Sequence, residues 1–486
     1  MKRPVKTVAE LLGGASVDKS IARYKVSVVT DDTRKIVKGR TLFFMRAKEN
    51  FDVLEKLGCI AADVYVIITG FKDFGKVSKL VSGKCKVLGV KNIDNVYFSA
   101  IDRLYEFSNK DFVFIGVTGT NGKTTVAGII YHLLNKLGFK ASLIGTVDNI
   151  IAGSKSPAVN TTPDYTSLRE MLFESRIKGY KHIVMEVSSH GIVQDRIKGL
   201  NFAVKIFTNL SRDHIDYHKN MANYFLAKKS FMEAGKYGDW TIVNLDDRYG
   251  RKIKLNGKSR TYAVKRDADC RAVDIFSWDK GVRFKLKTGE DDTFVNMSIL
   301  GAYNVYNVMA AVAAVSAVTG LCVKEFCQYV KTFKGVKGRL TAVCKDIFLD
   351  YAHTPDALKK VLQSVKMMGY DNIILVFGCG GNRDKGKRAI MGAVAGRYAD
   401  FTVVTSDNPR DEDPADICHQ IACAINGRHK IMIDRRQAIG YAVKQNKRLK
   451  NSCVVVAGKG HEVYQVVGAK KISFSDEEVI KEFCDI

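Results

Sequence analysis

Phe112-Val113-Phe114-Ile115-Gly116-Val117 runs directly into Thr118-Gly119-Thr120-Asn121-Gly122-Lys123-Thr124-Thr125, a buried strand feeding a phosphate-binding loop. A helical pattern follows, with Val126, Ile129, Ile130, Leu133, Leu134 and Leu137 on one face. Glycines let backbone N–H groups approach a phosphate, and a helix N-terminus favours its negative charge. Lys123 neutralises that charge, and Thr124 is placed to hold Mg2+. The common form of this loop has about four residues between its glycines. Gly119 and Gly122 have two, which narrows the families that fit.

Working outward, the same strand-then-polar-cluster pattern recurs. Ile183-Val184-Met185 leads to Glu186-Val187-Ser188-Ser189-His190, and Val204 to Phe207 leads to Thr208-Asn209-Leu210-Ser211-Arg212-Asp213-His214. Nearer the C-terminus, Ile347-Phe348-Leu349 leads to Asp350-Tyr351-Ala352-His353, and Ile373 to Phe377 leads to Gly378-Cys379-Gly380-Gly381-Asn382-Arg383. Phe401 to Thr405 leads to Ser406-Asp407-Asn408-Pro409-Arg410, and Val454 to Ala457 leads to Gly458-Lys459-Gly460-His461-Glu462. Open α/β sheets bind ligands at the carboxyl ends of their strands. Two parallel sheets, each with a functional edge, are therefore expected. The chain has six prolines, and Pro163, Pro355, Pro409 and Pro414 lie in or beside these clusters, where a rigid turn fixes geometry.

The organisation expected is α/β with three domains: 1–110, smaller and mixed; 111–335, a parallel sheet carrying the phosphate loop; and 336–486, a second, Rossmann-like sheet. The stretch Lys334-Gly335-Val336-Lys337-Gly338-Arg339 reads as the linker between the last two. The 486 residues suit two to four domains. No apolar run is long enough to span a membrane, and no apolar segment follows the basic start. Eleven cysteines with no Cys-x-x-Cys pair fit a reduced cytoplasmic protein rather than a disulfide framework or a zinc site; Cys322/Cys327 and Cys418/Cys423 are expected within helices. The net charge of +26 suits nucleic acid, polyanionic small substrates, or a surface of scattered solvated lysines. Its basic residues are spread out, with no aromatic-basic module, so no nucleic-acid partner is expected.

The residues also suggest chemistry. Glu186 and His214, each just past a strand, could complete a metal shell beside Lys123 and Thr124. Glu186 equally suits a helix cap, and His214 a satisfied loop histidine. Arg383 and Arg410 sit on neighbouring loops, and an arginine fork recognises a carboxylate by paired hydrogen bonds. Glu462 offers a counter-charge for an ammonium group. The plainer reading is loop-pinning ion pairs.

With these motifs in order, the chain resembles the Mur ligase family over nearly its whole length, most strongly from about 112 to 465. Besides the clusters above, the resemblance rests on Asn160-Thr161-Thr162-Pro163-Asp164, Asp213-His214-Ile215-Asp216-Tyr217-His218, Tyr224-Phe225-Leu226-Ala227-Lys228, Asn304-Val305-Tyr306-Asn307 and Gly338-Arg339. The Asn160 to Asp164 run resembles the branch that adds the third residue of the peptidoglycan stem peptide.

The resemblance implies an ATP-dependent ligase acting on a UDP-muramoyl dipeptide, with no membrane partner and a monomeric state. Gly119, Thr120, Asn121, Gly122, Lys123, Thr124, Thr125, Asn304, Arg339 and Asp350 would hold ATP. Thr124, Glu186, His214 and Lys228, the last as a carbamate, would hold Mg2+, with Lys123, Lys228 and His214 catalytic. Thr33, Asn160, Thr161, Thr162, Ser188, Gln194 and Arg196 would hold the UDP-muramoyl dipeptide. Arg383, Asp407, Asn408, Pro409, Arg410, Gly458 and Glu462 would hold the incoming amino acid. Relatives that use meso-diaminopimelate carry the Asp-Asn-Pro-Arg run, and lysine-adding relatives lack its arginine.

Departures concentrate in the first domain. Gly39-Arg40-Thr41-Leu42-Phe43-Phe44-Met45-Arg46-Ala47-Lys48-Glu49-Asn50-Phe51-Asp52 differs from the family's usual strand and loop, and Asp32-Thr33-Arg34 stands for Asp-Ser-Arg. Asn382 stands where aspartate is common. Within the enzymes, an L-lysine-adding or folylpolyglutamate-type ligase is the alternative, opposed by Asn160 to Asp164 and by Arg410. A nucleic-acid-stimulated ATPase would suit the charge, but no acidic strand end or arginine finger of that type is identifiable.

Overall fold

A computed structural model describes residues 3–13, 17–46, 57, 60–81, 83–234, 239–255, 257–278, 281–289 and 292–484. Residues 47–52 of the divergent first-domain segment lie outside the described residues. The chain forms two compact units: Met1–Phe112 with Pro163–Lys181 and Asp195–Lys198, and all the rest.

The first unit is built on four parallel strands in sequence order, Val28–Thr30, Thr41–Met45, Val66–Gly70 and Lys86–Val90. Leu42, Phe44, Val66 and Ile68 pack against Tyr97, Ile101 and Leu104 of the helix Ile93–Leu104. The helix Tyr165–Ile177 belongs to this unit: Arg169 Nε donates to Asp102 Oδ1 at 2.7 Å, and the rings of Tyr165 and Phe98 lie 4.5 Å apart.

The second unit holds the functional sheets. Val113–Thr118 sits inside an eleven-stranded sheet, flanked by His182–Glu186 and Phe202–Phe207. Ile115 and Val117 on one face and Phe114 on the other are all fully buried, as a central parallel strand requires. Thr118, Glu186 and Phe207 therefore end at one edge, where their polar clusters converge. The sheet is mixed rather than purely parallel. At one end Asp148–Ile151 turns into Ser154–Pro157 through Ala152 and Gly153, both at positive φ, which is the two-residue hairpin turn. At the other, Cys270–Trp278, Gly281–Lys287 and Asp292–Met297 pair antiparallel. The expectation of an all-parallel sheet missed these because alternation in short strands does not reveal strand direction.

The last sheet has six strands, ordered Thr341–Cys344, Ile347–Asp350, Ser452–Ala457, Asn372–Phe377, Phe401–Val404 and His429–Ile431, parallel except for the first pair. Pro355 and Pro414 begin the helices Pro355–Lys366 and Pro414–Ala422, where a missing N–H costs nothing. The cysteine expectation holds in part. Cys418 lies within a helix, whereas Cys322 and Cys423 cap helices and Cys327 opens a 3-10 turn. No disulfide forms among the described residues. No single described helix is long and apolar enough to cross a membrane.

Candidate active site

Gly119 and Gly122 adopt φ of +140° and +88°. A Cβ on Gly119 would stand 1.9 Å from Thr208 Oγ1, and one on Gly122 would stand 2.4 Å from Asn307 Oδ1. The loop is pressed between a strand end and the helix Asn304–Thr319, so both positions exclude any side chain. Gly122 begins the helix Lys123–Lys136 with no side-chain cap, which leaves its first N–H groups open to an anion. Lys123 Nζ donates to Gly119 O at 3.0 Å and Thr120 O at 2.9 Å, and burial lowers its pKa.

Thr124 Oγ1 donates to Glu186 Oε2 at 3.0 Å and accepts from Arg339 Nη2 at 2.9 Å. Thr146 N and Oγ1 hold the two Glu186 oxygens at 2.7 and 3.0 Å. Glu186 is not a helix cap; Ser188 Oγ caps Ser189–Val193 by accepting from Gly191 N. His214 sits at φ +54°, with Nε2 3.4 Å from Asp213 Oδ2. Burial lowers its pKa to about 3, which leaves the neutral imidazole that can bind a metal. The Glu186 carboxylate and the Thr124 hydroxyl offer the oxygen ligands that Mg2+ takes, with water and substrate phosphate completing its shell, and His214 lines the same cavity as Thr124. Among the described residues no group of three or more His, Cys, Asp or Glu could hold a metal by itself. Lys228 is buried, and Nζ donates to Gly119 O at 2.9 Å. Burial, with Lys123 nearby, holds its pKa well below the usual lysine value.

A cavity of about 360 Å3 opens from the phosphate loop. Arg339, Asp350, Tyr303 and Asn307 line it. Asn304 does not; it is 4% exposed, and its Oδ1 accepts from Asn307 Nδ2 at 2.6 Å. Asn304 thus orients Asn307, one turn along the same helix, which the sequence reading passed over. Asp350 Oδ2 accepts from Leu340 N at 2.6 Å, and burial raises its pKa to about 6. Asp350 therefore keeps a proton in the folded chain between about pH 4, where it would ionise when unfolded, and about pH 6. The native state binds more protons across that window, so stability falls as pH rises through it. Asp350→Asn should remove this slope. Denaturant titrations at about pH 4 and about pH 7 should show the variant gaining relative to the parent chain at the higher pH. An equal gap at both would mean that burial does not penalise this carboxylate.

A second cavity, about 690 Å3, is lined by Asn160, Arg383, Asp407, Asn408, Arg410 and Glu462, among others. Arg410 sits at φ +52°, with Nη1 donating to Gly381 O at 2.7 Å. Its backbone is zipped to the hairpin strand Tyr464–Val467: Arg410 N donates to Val466 O, and Gly468 N to Arg410 O. Gly458, at φ +112°, would place a Cβ 2.8 Å from Asp407 Oδ2. Arg383 lies 3.8 Å from Asp216. Pro409 O accepts from Glu412 N. Glu412 is itself forked by Arg388, at 2.9 and 3.0 Å, which lowers its pKa to about 2. The sequence reading missed this brace, because Arg388 and Glu412 are separated by a whole strand.

Thr146, Thr161, Asp213, His214, Tyr351 and His353 line both cavities. Asp213 Oδ2 lies 3.4 Å from Nε2 of His353, and Oδ1 lies 3.8 Å from Lys387. Sequence spacing signals neither pairing, since both partners are remote from Asp213 in the chain.

The expected dipeptide-binding residues divide. Asn160 and Thr161 line the second cavity. Thr162 is fully buried, donating to Glu186 O and accepting from Ser188 N, so its hydroxyl positions these neighbours. Ser188 Oγ caps its helix by accepting from Gly191 N at 3.0 Å. Gln194 Nε2 reaches Tyr217 at 3.4 Å. Thr33, in the turn Thr33–Lys35, and Arg196 belong to the first unit.

Comparison with known proteins agrees with this geometry. Residues 117–315 match the Mur ligase middle domain, and residues 338–460 match the Mur ligase glutamate ligase domain. A UDP-N-acetylmuramoyl-L-alanyl-D-glutamate–2,6-diaminopimelate ligase of Oceanobacillus iheyensis is 33% identical, covering 98% of each chain. One from Caldanaerobacter subterraneus is 38% identical over 78% of this chain and 79% of its own. A solved structure of a ligase of that name superposes with a TM-score of 0.65 at 27% identity, covering 99% of both chains.

Proposed function

The chain belongs to the Mur ligase family, and from that premise we propose that it joins meso-diaminopimelate to the D-glutamate of UDP-N-acetylmuramoyl-L-Ala-D-Glu. ATP is converted to ADP and phosphate in this step of peptidoglycan precursor synthesis. The observation that carries the reading is the shared wall of the two cavities. A phosphate-loop cavity and an arginine-bearing cavity meet at Thr161, Asp213, His214 and His353, so an activated carboxyl group formed on one side is within reach of an amine on the other.

The D-glutamyl carboxylate attacks the γ-phosphorus of ATP, giving an acyl phosphate and ADP. Lys123 and the open N–H groups of its helix offset the charge that develops on the transferred phosphoryl oxygens. Thr124, Glu186 and His214 would hold Mg2+, which supplies further charge neutralisation when bound. Burial and the nearby Lys123 depress the pKa of Lys228, which favours the unprotonated amine that alone adds to carbon dioxide, and so supports carbamate formation. The amine of the amino acid then attacks the acyl carbon, and phosphate leaves.

Arg410 supports meso-diaminopimelate over L-lysine, because its guanidinium suits the far carboxylate that lysine lacks. Phosphate release is measured with ATP and the dipeptide, adding meso-diaminopimelate, L-lysine or neither. Release with meso-diaminopimelate alone is expected. Arg410→Ala should raise KM for it by well over tenfold, since a charged hydrogen-bonded contact is worth about 2–3 kcal/mol. Release with lysine would overturn the pocket reading, and release with neither would overturn the function.

A further inference from the structure

Lys459 has a fully buried side chain at the end of the strand Ser452–Ala457, between Gly458 and Gly460. Both glycines are at positive φ, and a Cβ on Gly460 would stand 2.8 Å from that of Tyr351. This doubled glycine turn drives the lysine inward. Its Nζ donates to Glu462 Oε2 at 2.9 Å, to Tyr464 O at 2.5 Å and to Asn408 Oδ1 at 3.4 Å. An ammonium has three donors, and all three are used.

The three acceptors come from the two loops that line the second cavity and from the hairpin strand beside them. Asn408 is held on both sides: Nδ2 donates to Glu462 Oε2 at 3.0 Å, and Oδ1 also accepts from Val466 N at 2.8 Å. Lys459 and Asn408 both bond Glu462 at Oε2, which leaves Oε1 for a ligand amine. Val466 is also the residue whose carbonyl accepts from Arg410 N.

We infer that Lys459 is a positioning residue for the amino-acid substrate: its buried ammonium ties Glu462 and Asn408 into one rigid unit and aims the Glu462 carboxylate at the incoming amine. The inference rests on the amino-acid-ligase reading above. A buried lysine could have been mere filling, but a long amine whose every proton meets a pocket-lining loop or its supporting strand is placed to set geometry. Removing it leaves Glu462 charged, half-released and free to swing. Binding of the amino acid then suffers, while the ATP cavity, which Lys459 does not line, is spared.

The test uses the full chain and steady-state phosphate release. Lys459→Met is expected to raise KM for meso-diaminopimelate about tenfold or more, with KM for ATP within about twofold. Lys459→Gln, which keeps one donor group, should fall between. The double variant Lys459→Met/Glu462→Gln should be no worse than Glu462→Gln alone, because both changes remove one function. If Lys459→Met does not fold, Lys459→Gln and its double variant decide the question. An unchanged KM for the amino acid, equal losses toward ATP, or additive effects of the two replacements would overturn the inference. Failure of the parent chain to release phosphate with any amino acid would instead overturn the ligase reading itself.

Discussion

Lys123→Ala should lower kcat about 10²- to 10³-fold at saturating substrates, the loss typical of removing one preorganised group from a developing oxyanion. Lys123 stands in the first turn of the helix Lys123–Lys136, and its ammonium is folded over the loop carbonyls Gly119 O and Thr120 O. It is half-buried beneath the loop carbonyls, so its charge is partly shielded from water and each contact with phosphate counts for more. The charge it meets grows as the γ-phosphoryl group transfers. The loss therefore falls on kcat, and KM for the amino acid should stay within about twofold. Steady-state phosphate release with each substrate varied in turn checks this. A kcat within about threefold of the parent would remove Lys123 from the catalytic assignment.

Arg435→Met should cost about 3–5 kcal/mol of unfolding free energy, because it strands a buried carboxylate. Arg435 and Asp476 are at most 2% exposed, and their side chains meet in two parallel bonds of 2.7 Å. The same guanidinium donates to Ser406 O at 3.2 Å and Ala457 O at 3.0 Å. It thus ties the C-terminal helix Asp476–Cys484 to the two strand ends that carry Asp407 and Gly458. Replacing both partners, Arg435→Met with Asp476→Leu, should recover much of the loss, since no charge is then left unpaired. Urea titration of the two single variants and the double one checks this. A double variant no more stable than Arg435→Met would mean that the lost backbone contacts, and not the stranded charge, set the cost.

The three-domain α/β architecture of the family was legible because its signals are local. A buried strand, two glycines, Lys-Thr and an amphipathic helix lie within about 25 consecutive residues, and adjacent residues share their geometry through the backbone alone. The polar clusters at strand ends were legible for the same reason, and the sheet edges brought Lys123, Thr124 and His214 to one cavity and Asp407, Arg410 and Glu462 to the other.

What the chain order could not reveal is which polar group answers which. Of Asn304 and Asn307, one helical turn apart, it is Asn307 that lines the cavity, because only the helix phase against the cavity distinguishes them. Asn121 meets Asp356 across 235 residues, and Arg212 meets Asp384 across 172. Lys459 resembled any loop lysine until two left-handed glycines turned it inward. Local sequence thus determined the strands, the loop and the chemistry present at each edge. Tertiary structure alone decided the partners of Asp213, Glu412, Lys459 and Arg435, because burial makes an unpaired charge costly and only the folded chain brings the answering group within hydrogen-bond reach.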